Sequence, residues 1–144
     1  MSDASAISPF CGLWILDPAS CDYQLGFPPQ GGAYRIEDRG DHVRFSIEWI
    51  AHDGNHHETA FDGQADGIAH PYPDPNVADA LTTTVVDPLT LDTSITKGGL
   101  LVAHASRVIA DDGRSMEIVQ RIRVGAEWKH NTATYRRGVE TSGG

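Results

Sequence analysis

Apolar and polar side chains alternate along most of this 144-residue chain. The clearest run is 42–51, where Val43, Phe45, Ile47 and Trp49 alternate with His42, Arg44, Ser46 and Glu48. Successive strand residues point to opposite faces, so this run has one apolar and one wet face, as a half-buried antiparallel strand does. A one-residue slip would send all four apolar side chains into water, and that fixes the register. Asp53-Gly54 follows it and suits a tight hairpin, because glycine accepts the positive φ such turns require.

Eight further runs read the same way, over about 12–17, 33–38, 57–62, 80–86, 89–96, 101–110, 115–124 and 128–137. Asp62-Gly63, Asp87-Pro88, Gly98-Gly99, Asp112-Gly113 and Gly125 mark turns between them. No apolar period of 3.6 residues persists beyond two turns, which leaves little room for helix. Nine strands with mostly short connections predict an all-β, antiparallel, up-and-down meander of about 8–10 strands. Closure into a β-barrel would remove its exposed edges. Residues 1–137 are expected to form this one domain, with 138–144 as a flexible tail. Two connections are long, 22–32 and 64–79. The second carries His70-Pro71-Tyr72-Pro73-Asp74-Pro75 and is expected to lie extended over one barrel mouth, its prolines denying it ladder hydrogen bonds.

A domain of this length buries enough surface to fold without metal or disulfide. Twenty acidic residues against 11 basic ones give a net charge of −9. With no basic stripe, that balance argues against nucleic acid and against an anionic membrane surface as partners. No run of about 18 apolar residues occurs. The opening Met-Ser-Asp-Ala-Ser-Ala lacks the basic patch and apolar stretch of a signal peptide, so a cytoplasmic location is expected, with Cys11 and Cys21 reduced there, or free to pair had a leader been removed.

Several short motifs fall in a suggestive order. Gly12-Leu13-Trp14 opens the first strand, followed by Ser20 and the Pro28-Pro29 connection. Phe61-Asp62-Gly63 and Tyr72-Pro73 come next, then Arg107 ahead of Asp112-Gly113 and Met116, and finally Tyr135. Over about 12–137 the chain thereby resembles a widespread bacterial group of short lipocalin-like, calycin-type β-barrel domains. The resemblance implies a barrel with an internal pocket but hardly any reaction. It also implies that Trp14 packs against an arginine of the last strand, Arg136 or Arg137, in a structural cation–π contact at the closed end. The Thr-Asp-Tyr signature of typical lipocalins is absent.

The densest chemistry is His52-Asp53-Gly54-Asn55-His56-His57-Glu58. On a strand His56 and His57 point to opposite faces, so a solvated hairpin fits better than a metal site, and no metal is expected. His57 shares a face with Thr59 and Phe61 and would stand at a pocket wall. The 101–110 run leaves two registers open. With Leu101, Ala103, Ala105, Arg107 and Ile109 inward, a buried Arg107 must be paired or must meet an anionic ligand. In the other register His104 and Ser106 face the cavity. Gln120 interrupts the apolar row Met116, Ile118, Ile122 and Val124; Asp92 is expected outside. Tyr34 shares an inward face with Ile36, and Tyr72 sits in the proline-rich connection.

No Gly-x-Ser-x-Gly, phosphate-cradling glycine loop or dinucleotide motif is present, and no cofactor is implied. The reading is a cavity walled by Tyr34, Phe45, Trp49, Phe61, Met116 and Ile118 that binds a small apolar or aromatic molecule. Arg107 and Gln120 supply its polar contacts. The alternative is a cofactor-independent isomerase, cyclase or lyase in the same cavity, with His57, His104, Tyr34 and Tyr72 as acid–base groups and Arg107 or Gln120 steadying an oxyanion. A barrel with a filled core that binds other proteins is a third possibility.

Overall fold

The computed structural model describes residues 7–138. After one 3₁₀ turn, Ser8–Phe10, the chain forms ten strands: β1 (Gly12–Tyr23), β2 (Gly31–Asp38), β3 (Val43–Ile50), β4 (His56–Gly63), β5 (Ala69–Pro71), β6 (Ala80–Asp87), β7 (Thr90–Lys97), β8 (Leu100–Ile109), β9 (Ser115–Val124) and β10 (Glu127–Arg137). They make one sheet in the order β4-β3-β2-β1-β10-β9-β8-β7-β6-β5, every pair antiparallel. This is the expected up-and-down meander, its first and last strands joined by the β1–β10 ladder.

The sheet curls without closing completely, because no ladder joins β4 to β5 or β6. At one end the two sides touch. Gly67 N–H donates to Thr83 O at 2.9 Å, and a Cβ on Gly63 would lie 2.6 Å from Thr83 Oγ1. Glycine at position 63 is therefore what lets β4 approach β6 so closely.

Two elements differ from the sequence reading. The proline-rich connection, expected to make no ladder bonds, contributes the three-residue β5, paired with β6 from Ala69↔Thr82 to Pro71↔Ala80. An edge strand tolerates this, since the missing proline N–H can face outward. The first strand runs past Asp17 to Tyr23 through an irregularity between Asp17 and Asp22. Pro18 has no N–H to donate there, and in the irregular stretch Thr134 N–H donates to Ser20 Oγ at 2.8 Å, while Ser20 Oγ donates to Asp17 O at 2.6 Å. Of the expected C-terminal tail, only Gly138 belongs to the described residues, and its N–H donates to Leu13 O at 2.8 Å. The expected absence of a leader concerns the first residues, and residues 1–6 also lie outside the described part. No helix among the described residues is long and apolar enough to cross a membrane.

Side-chain size divides the barrel interior. At one end Ile7, Phe10, Trp14, Ile36, Val43, Leu91, Ile109 and Met116 pack into a filled core. Each large apolar side chain buried there contributes about 1.5–3 kcal/mol. Trp14 is fully buried, its Nε1–H donates to Phe10 O at 2.9 Å, and the Arg137 guanidinium carbon lies 3.9 Å from its ring centroid. Arg137 also donates to Cys11 O (2.7 Å), Pro9 O (3.1 Å) and Gly113 O (3.2 Å), closing this end of the barrel. The cation over Trp14 is thus Arg137 and not Arg136. The register pairs Trp14 with Arg137 and Ile15 with Arg136, so Arg136 points to the outer face and meets Asp17 at 3.4 Å.

Candidate functional site

Toward the other end the inward positions carry small side chains. Gly32, Thr59, Ala103, Ala105 and Ala133 stand where the filled end has Trp, Ile, Phe and Met, and the interior is hollow. The hollow has two chambers, of about 330 and about 420 Å³, which share Tyr34, Ile47, Thr59 and Gln120. The first runs between β2, β3 and β10, with Phe27 and Pro29 from the β1–β2 connection. The second lies under the β4–β6 seam, with Tyr72 and Pro73 at its border. A concave surface roomier still, about 520 Å³, lies mostly on the outer face of β2–β4, where Arg35, Ser46, Glu48 and Glu58 point to solvent. It lacks the apolar walls of the interior.

The floor of the hollow is polar. Arg107, 2% exposed, points inward from β8, so the register with Ala103, Ala105 and Ile109 inward is the one adopted. Its Nε and Nη2 donate to Tyr34 Oη at 3.0 and 2.9 Å, and Nη1 donates to Thr93 Oγ1 at 2.8 Å. The guanidinium carbon lies 4.7 Å from the Phe45 ring centroid and 5.7 Å from that of Tyr34. Among the described residues no carboxylate forms an ion pair with Arg107. Removing a cation from water costs several kcal/mol. A cation–π contact returns up to about 2 kcal/mol, so the aromatic faces offset only part of that cost.

Aromatic rings fix this floor. Phe45 stacks on Phe61 at 4.7 Å, and Tyr34 meets Phe45 and Tyr135 edge-on at 6.4 and 5.7 Å. Burial, followed by the neighbouring Tyr23 and Tyr34 phenols, pushes the Tyr135 hydroxyl well above the ordinary phenol range, so it stays protonated. At the mouth Asn131 is buried and holds the β1–β2 connection. Its Oδ1 accepts from Gln24 and Leu25 N–H, both at 3.0 Å, and its Nδ2 donates to Leu25 O at 2.9 Å.

The residues expected at the site are thus dispersed. Tyr34, Trp49, Phe61, Tyr72, Arg107, Ile118 and Gln120 border the hollow. Phe45 and Met116 do not; both are fully buried, Phe45 beneath the guanidinium and Met116 in the filled core. His57 is exposed at the mouth, stacked on Trp49 at 5.3 Å. His104 belongs to the wall, but its imidazole is on the outer face, 3.3 Å from Asp92 Oδ2, because the adopted register turns even-numbered β8 residues outward. Of the four side chains expected to perform acid–base chemistry, Tyr34, Tyr72 and His104 border the second chamber, His104 from its outer side, and His57 lies outside it.

Thr93 and Asn131 were not singled out in the sequence. For Thr93 a signal existed: it is the one hydroxyl in the inward row Leu91, Thr93, Ile95. For Asn131 none did, because its role depends on where a loop over 100 residues away comes to rest.

No protein-family model and no curated protein sequence matches this chain. Solved structures of similar fold do. Zebrafish ileal bile acid-binding protein, complexed with cholic acid, aligns at 12% identity with a TM-score of 0.52, over 90% of this chain and 99% of its own. Lipid binding protein 8 of Caenorhabditis elegans, in its apo form, aligns at 10% identity with a TM-score of 0.55, over 92% of this chain and 97% of its own. At such identities the likeness establishes the fold, a curled antiparallel up-and-down β-sheet of the barrel kind, and nothing beyond it.

Proposed function

We propose that this protein binds a small apolar or aromatic molecule in the hollow half of its barrel. The observation that carries the reading is the pair of joined chambers, in the 300–1,000 Å³ range of small-molecule sites, resting on a packed floor. Apolar walls drive uptake by about 25 cal/mol per Å² of ligand surface removed from water. The two proteins similar in fold, a bile acid-binding and a lipid binding protein, support the same reading. Isomerase, cyclase or lyase chemistry gains nothing from the geometry, since His104 faces outward and His57 stands exposed at the mouth.

Fluorescence titration with Nile red, a neutral apolar dye, tests it. The wild type is expected to bind one equivalent saturably with a blue-shifted emission. Ala105→Leu, which fills the hollow without adding charge, is expected to fold normally and bind at least about tenfold more weakly. A folded Ala105→Leu variant that binds as tightly as the wild type, or a wild type that shows no saturable binding, overturns the proposal.

A further inference from the structure

Donors and acceptors at the cavity floor do not balance. A guanidinium carries five N–H donors and no acceptor. Three of those of Arg107 are engaged, two on Tyr34 Oη and one on Thr93 Oγ1. One further hydrogen on Nη1 and one on Nη2 have no partner among the described residues. Tyr34 and Thr93 both act as acceptors toward Arg107, which leaves their own O–H hydrogens to donate. Arg107, Tyr34 and Thr93 all border the same chamber. The floor of an apolar cavity thus presents unused donors and a buried positive charge, and among the described residues no carboxylate meets them. The protein as a whole is strongly acidic, at −9, so this cation runs against the prevailing charge.

We infer that the ligand itself supplies the missing anion: an amphiphile entering head first, with a carboxylate seated on Arg107, Tyr34 and Thr93 and an apolar body filling the chambers above. A carboxylate has only acceptor sites and matches the guanidinium fork, so it uses the free donors and neutralises the charge together. The aromatic faces of Phe45 and Tyr34 hold the guanidinium in place beforehand, at 4.7 and 5.7 Å, so little ordering remains to be done on binding. This inference rests on the cavity-binding reading above, narrowing it from an apolar molecule to an apolar acid.

Displacement of bound Nile red by three ligands of one chain length, dodecanoic acid, dodecanol and methyl dodecanoate, tests it at pH 7.5. The acid is expected to displace the dye at a concentration at least about tenfold lower than either neutral ligand. In Arg107→Met that advantage is expected to shrink to about twofold or less, while Nile red still binds. The empty Arg107→Met protein is also expected to unfold at a higher temperature than the empty wild type, because an unpaired buried charge has been removed. Tyr34→Phe, which keeps the ring and loses only the hydroxyl, gives a second reading that does not depend on Arg107→Met folding; its acid preference is expected to fall about threefold or more. Equal displacement by acid and alcohol in the wild type overturns the carboxylate inference and leaves cavity binding intact. So does an acid preference that survives either substitution. Failure of Nile red to bind at all overturns both.

Discussion

The Arg137 guanidinium lies 3.9 Å from the ring centroid of Trp14 and donates to three backbone carbonyls around it, those of Pro9, Cys11 and Gly113. One side chain thereby ties the N-terminal turn, the β8–β9 hairpin and the last strand into a single plug. Arg137→Ala is expected to destabilise the protein by about 1–3 kcal/mol, from the cation–π contact and the charge-assisted bonds together. Arg136→Ala removes one exposed ion pair and is expected to change stability by no more than about 0.5 kcal/mol. Urea midpoints of the two variants check this; equal shifts would contradict the assigned roles.

Gly63 and Thr83 touch across the unlaced side of the barrel. A methyl group at position 63 would lie 2.6 Å from Thr83 Oγ1, a buried hydroxyl with no hydrogen-bond partner. Gly63→Ala is expected to cost about 1–3 kcal/mol by overpacking. Combined with Thr83→Ala the two changes should be less than additive, because the second removes the atom that the first collides with. A double-mutant cycle by chemical denaturation measures the coupling, and strict additivity would mean that the two strands do not meet there.

Asn131→Ala is expected to leave the N–H groups of Gln24 and Leu25 without their acceptor and to release the β1–β2 connection from the mouth. The expected loss is about 1–3 kcal/mol, and amide exchange at Leu25 should quicken far more than exchange at Met116 in the packed end. Uniform acceleration across the sheet would instead indicate general loosening.

Cys11 and Cys21 are free thiols whose pKa values lie above the ordinary thiol value. Burial is the first cause in both; Asp38 near Cys11 and Asp17 near Cys21 add to it. A raised pKa means less thiolate at a given pH, so carbamidomethylation by iodoacetamide near pH 7 should be slower than that of a free thiol. Its half-maximal rate should come above about pH 8.5. Mass-spectrometric rates against pH decide this; half-maximal reaction below that value would show a stabilised thiolate instead.

The meander was legible because most strands have one apolar face: in β3, Val43, Phe45, Ile47 and Trp49 admit a single register. β8 has apolar side chains on both faces, so only its neighbours could decide whether Arg107 or His104 turned inward. β5 escaped notice because three residues containing a proline carry no alternation. The choice between Arg136 and Arg137 had the same character. Consecutive strand residues must face opposite ways, but which of them faces Trp14 depends on the pairing of two strands more than 100 residues apart. The hollow could be anticipated from the small residues at 103 and 105, yet its floor required three strands to meet, with Tyr34, Thr93 and Arg107 drawn from β2, β7 and β8.

A tube laced all the way round can admit a guest only by tearing bonds or by way of its rim. Here the unlaced side lies beside the larger chamber, with Thr59 and Phe61 on one flank and Leu81 on the other. Between those flanks there is no strand ladder to break, and the packing around Trp14 lies at the other, filled end. The topology thus leaves beside the chamber a stretch of wall whose separation costs side-chain packing and no ladder hydrogen bonds.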